Sequence, residues 1–522
     1  MLRSRLTRLL TAAAMAVGLA SSTAALPSVP VLMSDNVELV GAVPEPGIVA
    51  VTFDPLKPVA YGTGASGVVT YDVTNPTLPR PLGRLALPHF SNENVKLGVR
   101  EDGTRLILIG VETFGAGTNG SASTGNGFYV VDVTNPAAPR LASSRTTGSG
   151  NRTHTMFCAD AGCTVAYNSG TNGFTIWDLT DINAPMRVPV TGINRAGNED
   201  KWTSPVIATT NGTFNGTGHD WDLDGAGVAW LSGAAGITAF DVSDPKAPRI
   251  LNSSDFRGRS AEFNKYIIHN SQRPDAESFV SRPDDEVYTY EQGMPGQLAG
   301  PATPEEVAEA GIRAGEIVFV TEEDITVGQQ GRCGKRGGFQ AWHVQQLDAD
   351  VYESTTNPER KPFSGSITAI GKWTTEANYD ANDPLTNSNV AALCSAHYFD
   401  IHSEQNIAAQ AWYNQGIRFL DARDPSDITQ LGYYITGGQQ AFGAKWVPEY
   451  GPDGKQTGRD TNLVYTEDPA RGIEILRVEL PEEGEDSVPV RAPILREWFV
   501  QAAAVSEDDL VPGFGYACRL AG

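Results

Sequence analysis

One phrase, GITAFDVSDPKAP at residues 236–248, limits what this chain can fold into, because it recurs. It returns as GVVTYDVTNPTLP from Gly67, GFYVVDVTNPAAP from Gly127, GFTIWDLTDINAP from Gly173 and, eroded, GIRFLDARDPSDI from Gly416. Half-copies stand at Gly338 (GFQAWH) and Gly472 (GIEILR). Each full copy runs from a glycine through mainly apolar residues to an Asp, and in all but the Gly173 copy an Asn/Asp-Pro turn signal follows. Seven copies of one phrase imply seven copies of one structural unit.

Each unit reads as four short strands with the phrase as the third. The first has strands at 48–53, 59–62, 67–73 and 82–87, and the second at 94–99, 105–111, 127–133 and 141–146. The third has them at 155–158, 163–167, 173–179 and 186–190, and the fourth at 220–223, 228–231, 236–242 and 249–252. These runs are rich in Val, Ile, Tyr, Phe and Thr and are broken by Gly, Asp and Pro, as strand chemistry requires. The fifth unit separates its first strand (265–268) from its second (317–321) by an insertion at 270–316, which carries a helix expected over 303–314, with Pro304 near its start and Gly315 at its end. A polar insertion occupies 194–214. The sixth unit spans 396–436 and the seventh 442–480.

Seven four-stranded sheets in series predict an all-β, seven-bladed β-propeller, since radial packing buries both faces of every sheet. The seventh unit lacks a good fourth strand, and NVELVGAV at 36–43 resembles one, so it is expected to complete the last blade and close the ring. The propeller is then assigned to 26–482 and a tail packing on it to 483–522.

The phrase G-h-x-h-h-D-V-[ST]-[ND]-P-x-x-P resembles the LVIVD repeat of secreted bacterial propellers, over nearly all of 36–480. That resemblance implies an extracytoplasmic, surface-associated binding propeller. The chain departs from the phrase at His343 and Arg477, where Asp is expected, and at Ile428, where the second Pro is expected; looser turns are expected there.

Residues 1–25 read as a secretory leader: Arg3, Arg5 and Arg8, an apolar core at 9–20, then Ser22, Thr23, Ala24 and Ala25. The core is too short to cross a bilayer, which needs about 20 residues. The formal net charge of −23 repels phosphate backbones and argues against nucleic acid. The expected partner is an extracellular ligand or protein, and the expected state a monomer. Of five cysteines, Cys158 and Cys163 flank a tight turn and Cys333 and Cys394 precede strand-like runs in neighbouring units; these are the expected disulfides, leaving Cys518 over.

The phrase itself is structural: its Asp can accept hydrogen bonds from the turn backbone. DWDLDG at 220–225 begins like a calcium loop, but Leu231 stands where the bidentate carboxylate is needed, so an Asp-Gly turn is the better reading. Calcium held by fewer ligands stays open. No G-x-S-x-G, phosphate loop or H-E-x-x-H occurs, and Ser395 beside His397 does not make a triad. Trp412–Tyr413 and Tyr433–Tyr434 are expected to pack between blades.

The histidines carry more information. Four of the seven, His154, His219, His269 and His397, stand just before or at the start of a first strand. From His154, His219 and His397 to the closing Asp of the unit the gaps are 24, 22 and 24 residues. Glu93 holds the comparable place in the second unit. Innermost strands ring the propeller axis, and loops after the second strands reach the same mouth. Those loops carry Glu322, Glu323 and Asp324, and Glu467 and Asp468. Imidazole with carboxylate suits a divalent transition metal. Two readings stay open: histidines that hydrogen-bond neighbouring blades, or a metal or small-ligand site, which a metal-dependent oxidase or lyase could use.

Overall fold

The computed structural model describes residues 31–492, apart from 46, 88–92, 112–126, 148–152, 171–172, 191–200, 203–217, 235, 255–266, 277–280, 292–300, 324–336, 351–366, 376–394, 437–439 and 483. The chain enters through β1 (Val31–Met33) and β2 (Val37–Val43), which join the last two blades. Blade 1 is β3 (Ile48–Phe53), β4 (Val59–Gly64), β5 (Gly67–Asp72) and β6 (Arg80–Ala86). Blade 2 is β7 (Leu97–Val99), β8 (Arg105–Val111), β9 (Gly127–Asp132) and β10 (Arg140–Thr146), and blade 3 is β11 (Met156–Cys158), β12 (Val165–Asn168), β13 (Ile176–Asp178) and β14 (Met186–Val188). Blade 4 comprises β15 (Gly218–Leu223), β16 (Val228–Gly233), β17 (Gly236–Asp241) and β18 (Arg249–Ser253). Blade 5 comprises β19 (Ile267–Gln272), β20 (Ile317–Glu323), β21 (Phe339–Val344) and β22 (Ile367–Trp373), with helix α1 (Pro304–Ala310) between its first two strands. Blade 6 is β23 (Phe399–Ile401), β24 (Ile407–Trp412), β25 (Gly416–Asp421) and β26 (Thr429–Thr436); blade 7 is β27 (Gly443–Tyr450), β28 (Gln456–Glu467) and β29 (Ile473–Val478).

All pairings are antiparallel, and together the blades make a seven-bladed β-propeller. The closing strand is where the sequence places it: β2 pairs with β29, Val37 opposite Val478 and Val43 opposite Ile473. β1 was not foreseen. It adds a fifth strand to blade 6, Val31 opposite Thr436.

The middle strands are buried on both faces because each blade is packed between two others; β4, β16, β21 and β24 are buried along their whole length. The core is accordingly divided into one apolar cluster per blade interface. Tyr61 and Ile107 meet between blades 1 and 2, Trp230 and Trp342 between blades 4 and 5, and Tyr71 and Tyr465 where blade 7 returns to blade 1. Each such large side chain contributes roughly 1.5–3 kcal/mol on burial. Trp412 and Tyr434 belong to these interfaces, as expected.

The phrase works as a double turn. Its Asp accepts from the backbone N–H two residues on in five blades: Thr74 to Asp72, Thr134 to Asp132, Thr180 to Asp178, Ser243 to Asp241 and Arg423 to Asp421, at 2.8–3.1 Å. The following Asn or Asp repeats the bond, as in Thr77 to Asn75 and Lys246 to Asp244. The opening glycine is required by backbone geometry. Gly67 has φ +124°, and a Cβ there would lie 2.1 Å from the Leu85 carbonyl oxygen.

Two expectations on the fifth blade need correction. The helix ends at Ala310, because Gly311 (φ 55°) adopts the left-handed cap before Gly315 is reached. The first strand runs on to Gln272, so His269 lies inside it. Where His343 replaces the phrase Asp, its ring contacts Tyr290 Oη at 2.8 Å and Glu316 Oε2 at 3.2 Å. The start of the tail lies on blade 6: Val490 N–H donates to Gln430 O, and Ala492 is buried against Tyr433 and Ile435.

Candidate metal centre

First strands line the axis, so a residue at the start of each faces its counterparts in other blades. Glu93 and His154 precede β7 and β11, His219 and His269 lie within β15 and β19, and His397 precedes β23. The second strands finish at the same mouth, which brings Glu323, the last residue of β20, to the histidines. All six are buried.

Glu93 sits at the centre. Its Oε2 is 3.3 Å from His154 Nε2, 3.3 Å from His397 Nε2 and 3.6 Å from His269 Nε2. The rings follow one another in series, His154 to His219 at 4.4 Å, His219 to His269 at 4.0 Å and His269 to His397 at 4.1 Å between centroids. Glu323 Oε2 is 3.9 Å from His269 Nε2, and its Oε1 accepts a 2.5 Å hydrogen bond from Tyr413 Oη.

The other ring nitrogens fix orientation. His219 Nδ1 is 2.9 Å from the His269 carbonyl oxygen, and His397 Nδ1 is 2.5 Å from that of Phe442. A carbonyl only accepts, so Nδ1 carries the hydrogen in both, and in His397 Nε2 of the neutral ring is a lone pair aimed at the cluster. His219 and His397 therefore do tie blade to blade, through Nδ1, and His397 still offers Nε2 as a ligand. Among the described residues Glu93 Oε1, Glu323 Oε2, His397 Nε2 and both nitrogens of His269 have no hydrogen-bond partner.

The electrostatics follow from burial and mutual proximity. Burial pushes Glu93 up, but His154 and His397 hold its carboxyl well below the usual carboxylate range. Burial, then the neighbouring His269, lowers His219 well below the ordinary imidazole value; burial and His397 lower His269 to about 3. Burial acts to lower His397, but Glu93 raises it overall. Burial drives Glu323 up to about 7.

The remaining sequence candidates point elsewhere. Glu322, next to Glu323 but on the opposite side of the strand, takes Lys372 Nζ at 3.0 Å and the Gly337 N–H at 3.1 Å. Glu467 accepts from Val51 N at 2.7 Å, and Asp468 from the backbone of Gln440 and Ala470. Asp324 lies outside the described residues, as do Cys333, Cys394 and Cys518. Cys158 and Cys163 form the expected disulfide. The Asp220–Asp224 segment is no calcium loop: Asp220 takes Asn94, Asp222 takes Lys96, and Asp224 closes its turn with the Ala226 and Val228 N–H groups. Tyr413, expected only to pack between blades, is a member that sequence reasoning missed. It follows the second strand of blade 6, the place where carboxylates were sought in blades 5 and 7.

Among the described residues, the possible ligand atoms close up in three overlapping triads: Glu93, His269 and His397; Glu93, His154 and His219; His219, His269 and Glu323. Within each, the atoms lie within 4.8 Å of one another. A tetrahedral ion with bonds of about 2.1 Å separates its ligands by about 3.4 Å, close to the 3.3–3.6 Å measured around Glu93 Oε2. The residues thus fit a divalent transition metal.

No family model matches the chain, and no curated protein matches it. Among solved structures it is similar to the crystal structure of the β-propeller domain of Cps50 (Swd1) from Myceliophteria thermophila. The two are 11% identical with a TM-score of 0.47, over 85% of this chain and 100% of that one.

Proposed function

We propose that this propeller binds a divalent transition metal at its channel mouth, through His154, His219, His269, His397 and Glu93, with Glu323 beside them. One observation carries the reading. His397 commits its Nδ1 hydrogen to Phe442, so its Nε2 lone pair faces the acidic Glu93 Oε2 across 3.3 Å. Two acceptors at that distance need a cation between them. A proton on His397 would satisfy one such pair. A metal ion satisfies His269 and His154 as well, which stand 3.6 and 3.3 Å from the same oxygen. Four imidazoles favour a transition ion over calcium or magnesium, which take oxygen ligands.

In this reading the protein is an extracytoplasmic binding module that meets a ligand or partner with this face. The leader read at 1–25 and the resemblance to LVIVD propellers support that placement. A metal-dependent enzyme, an oxidase or lyase, is the second reading. It is favoured by three-ligand sets that leave coordination positions open, and chelation would then abolish turnover of its substrate.

The test is metal analysis of protein purified without chelators. Stoichiometric transition metal is expected, lost in Glu93→Gln and His397→Ala variants that keep the wild-type circular dichroism. Metal-free wild-type protein that takes up no cobalt or zinc on dialysis would remove the proposal.

A further inference from the structure

We infer that the channel mouth holds two divalent ions, bridged by Glu93, and not one. This rests on the metal-binding reading above and specifies its stoichiometry.

The inference comes from how the ligands partition. Two triads share Glu93 and no histidine: one adds His154 and His219, the other His269 and His397. The four imidazoles thus divide into two pairs that share one carboxylate. Each triad is two imidazoles and one carboxylate, a sufficient set for a transition ion that keeps further positions open. The third triad takes one histidine from each pair, His219 and His269, and adds Glu323. Glu323 therefore straddles the same seam as Glu93.

A two-ion centre needs that placement. Two divalent ions about 3.5–4 Å apart repel strongly in a buried site, and an anion between them is what holds them together. Both carboxylates of the cluster lie on the seam, and both are fully buried. Glu93 also has a second oxygen to offer, since Oε1 makes no hydrogen bond among the described residues while Oε2 faces His154, His269 and His397. One carboxylate oxygen that faces histidines of both pairs, with a second oxygen of the same group making no hydrogen bond among the described residues, is the geometry of a bridge.

The experiment loads the full chain with manganese(II) and measures bound metal beside the electron paramagnetic resonance spectrum. Two equivalents with an exchange-coupled spectrum are expected in the unmodified protein. The pair variants His154→Ala/His219→Ala and His269→Ala/His397→Ala should each fall from two equivalents to one and lose the coupling. One equivalent with an uncoupled six-line signal in the unmodified protein overturns the two-ion inference and leaves metal binding standing. No bound manganese, together with no uptake of cobalt or zinc, removes both. The wild-type spectrum decides the matter even if a pair variant fails to fold.

Discussion

Ring closure makes a prediction that can be worked from the structure. Deleting residues 26–44 removes β2, whose Val37 is 5% exposed in the interface of blades 6 and 7 and whose Val40 and Val43 pack partly against blades 1 and 7. With roughly 1.5–2 kcal/mol for a buried valine and half that for each partly buried one, the side chains contribute about 3–4 kcal/mol. The strand's ladder hydrogen bonds and its ordering entropy act in opposite directions, so the side-chain contribution sets the scale. A melting entropy of about 2.1 cal/mol/K per residue over about 450 residues converts this to a fall in Tm of roughly 3–4 °C. Deleting only residues 26–33 removes β1, where Val31 and Met33 are 38% and 42% exposed, and should move Tm by less than about 1 °C. Calorimetry on the two truncations provides the comparison. Equal melting temperatures in the two, or no loss in the longer deletion, would refute closure by β2.

Two further outcomes are expected. Burial alone would raise Glu316, but His343 and Arg282 hold it at about 2. A depressed carboxyl stabilises the fold above its ordinary value near 4.5, and that stability is lost as pH falls toward 2. Chemical denaturation should therefore show wild type exceeding Glu316→Gln by up to about 3 kcal/mol before solvent screening at pH 6, the gap closing below pH 4.5; a gap that persists at pH 2 contradicts the assignment. Export predicts that the mature protein begins near residue 26, read by N-terminal sequencing of secreted material, and an intact Met1 in that material counts against it.

The propeller was legible because one phrase repeats in register, and the histidine ring was legible because that phrase supplies a phase. What phase alone does not supply is side. Glu322 and Glu323 are adjacent, and only the pleat decides that Glu323 faces the histidines while Glu322 turns to Lys372. Asp468 looked like a rim ligand, yet its Oδ1 closes its own turn and its Oδ2 accepts from the Gln440 N–H. β1 went unseen because three residues without a turn signal carry no period to read. The early helix stop is a contest between Gly311 and Gly315, and the nearer glycine ended the helix.

The closing strand also orders events in time. Glu38 and Arg477 meet across the last ladder, 439 positions apart in the chain. β2, made early in the chain, thus waits for β29, and the circle cannot be completed until nearly the whole polypeptide is present. Under the export proposed above, that delay would be useful. A chain that must be threaded as an open string would close into a ring only after its far end had crossed.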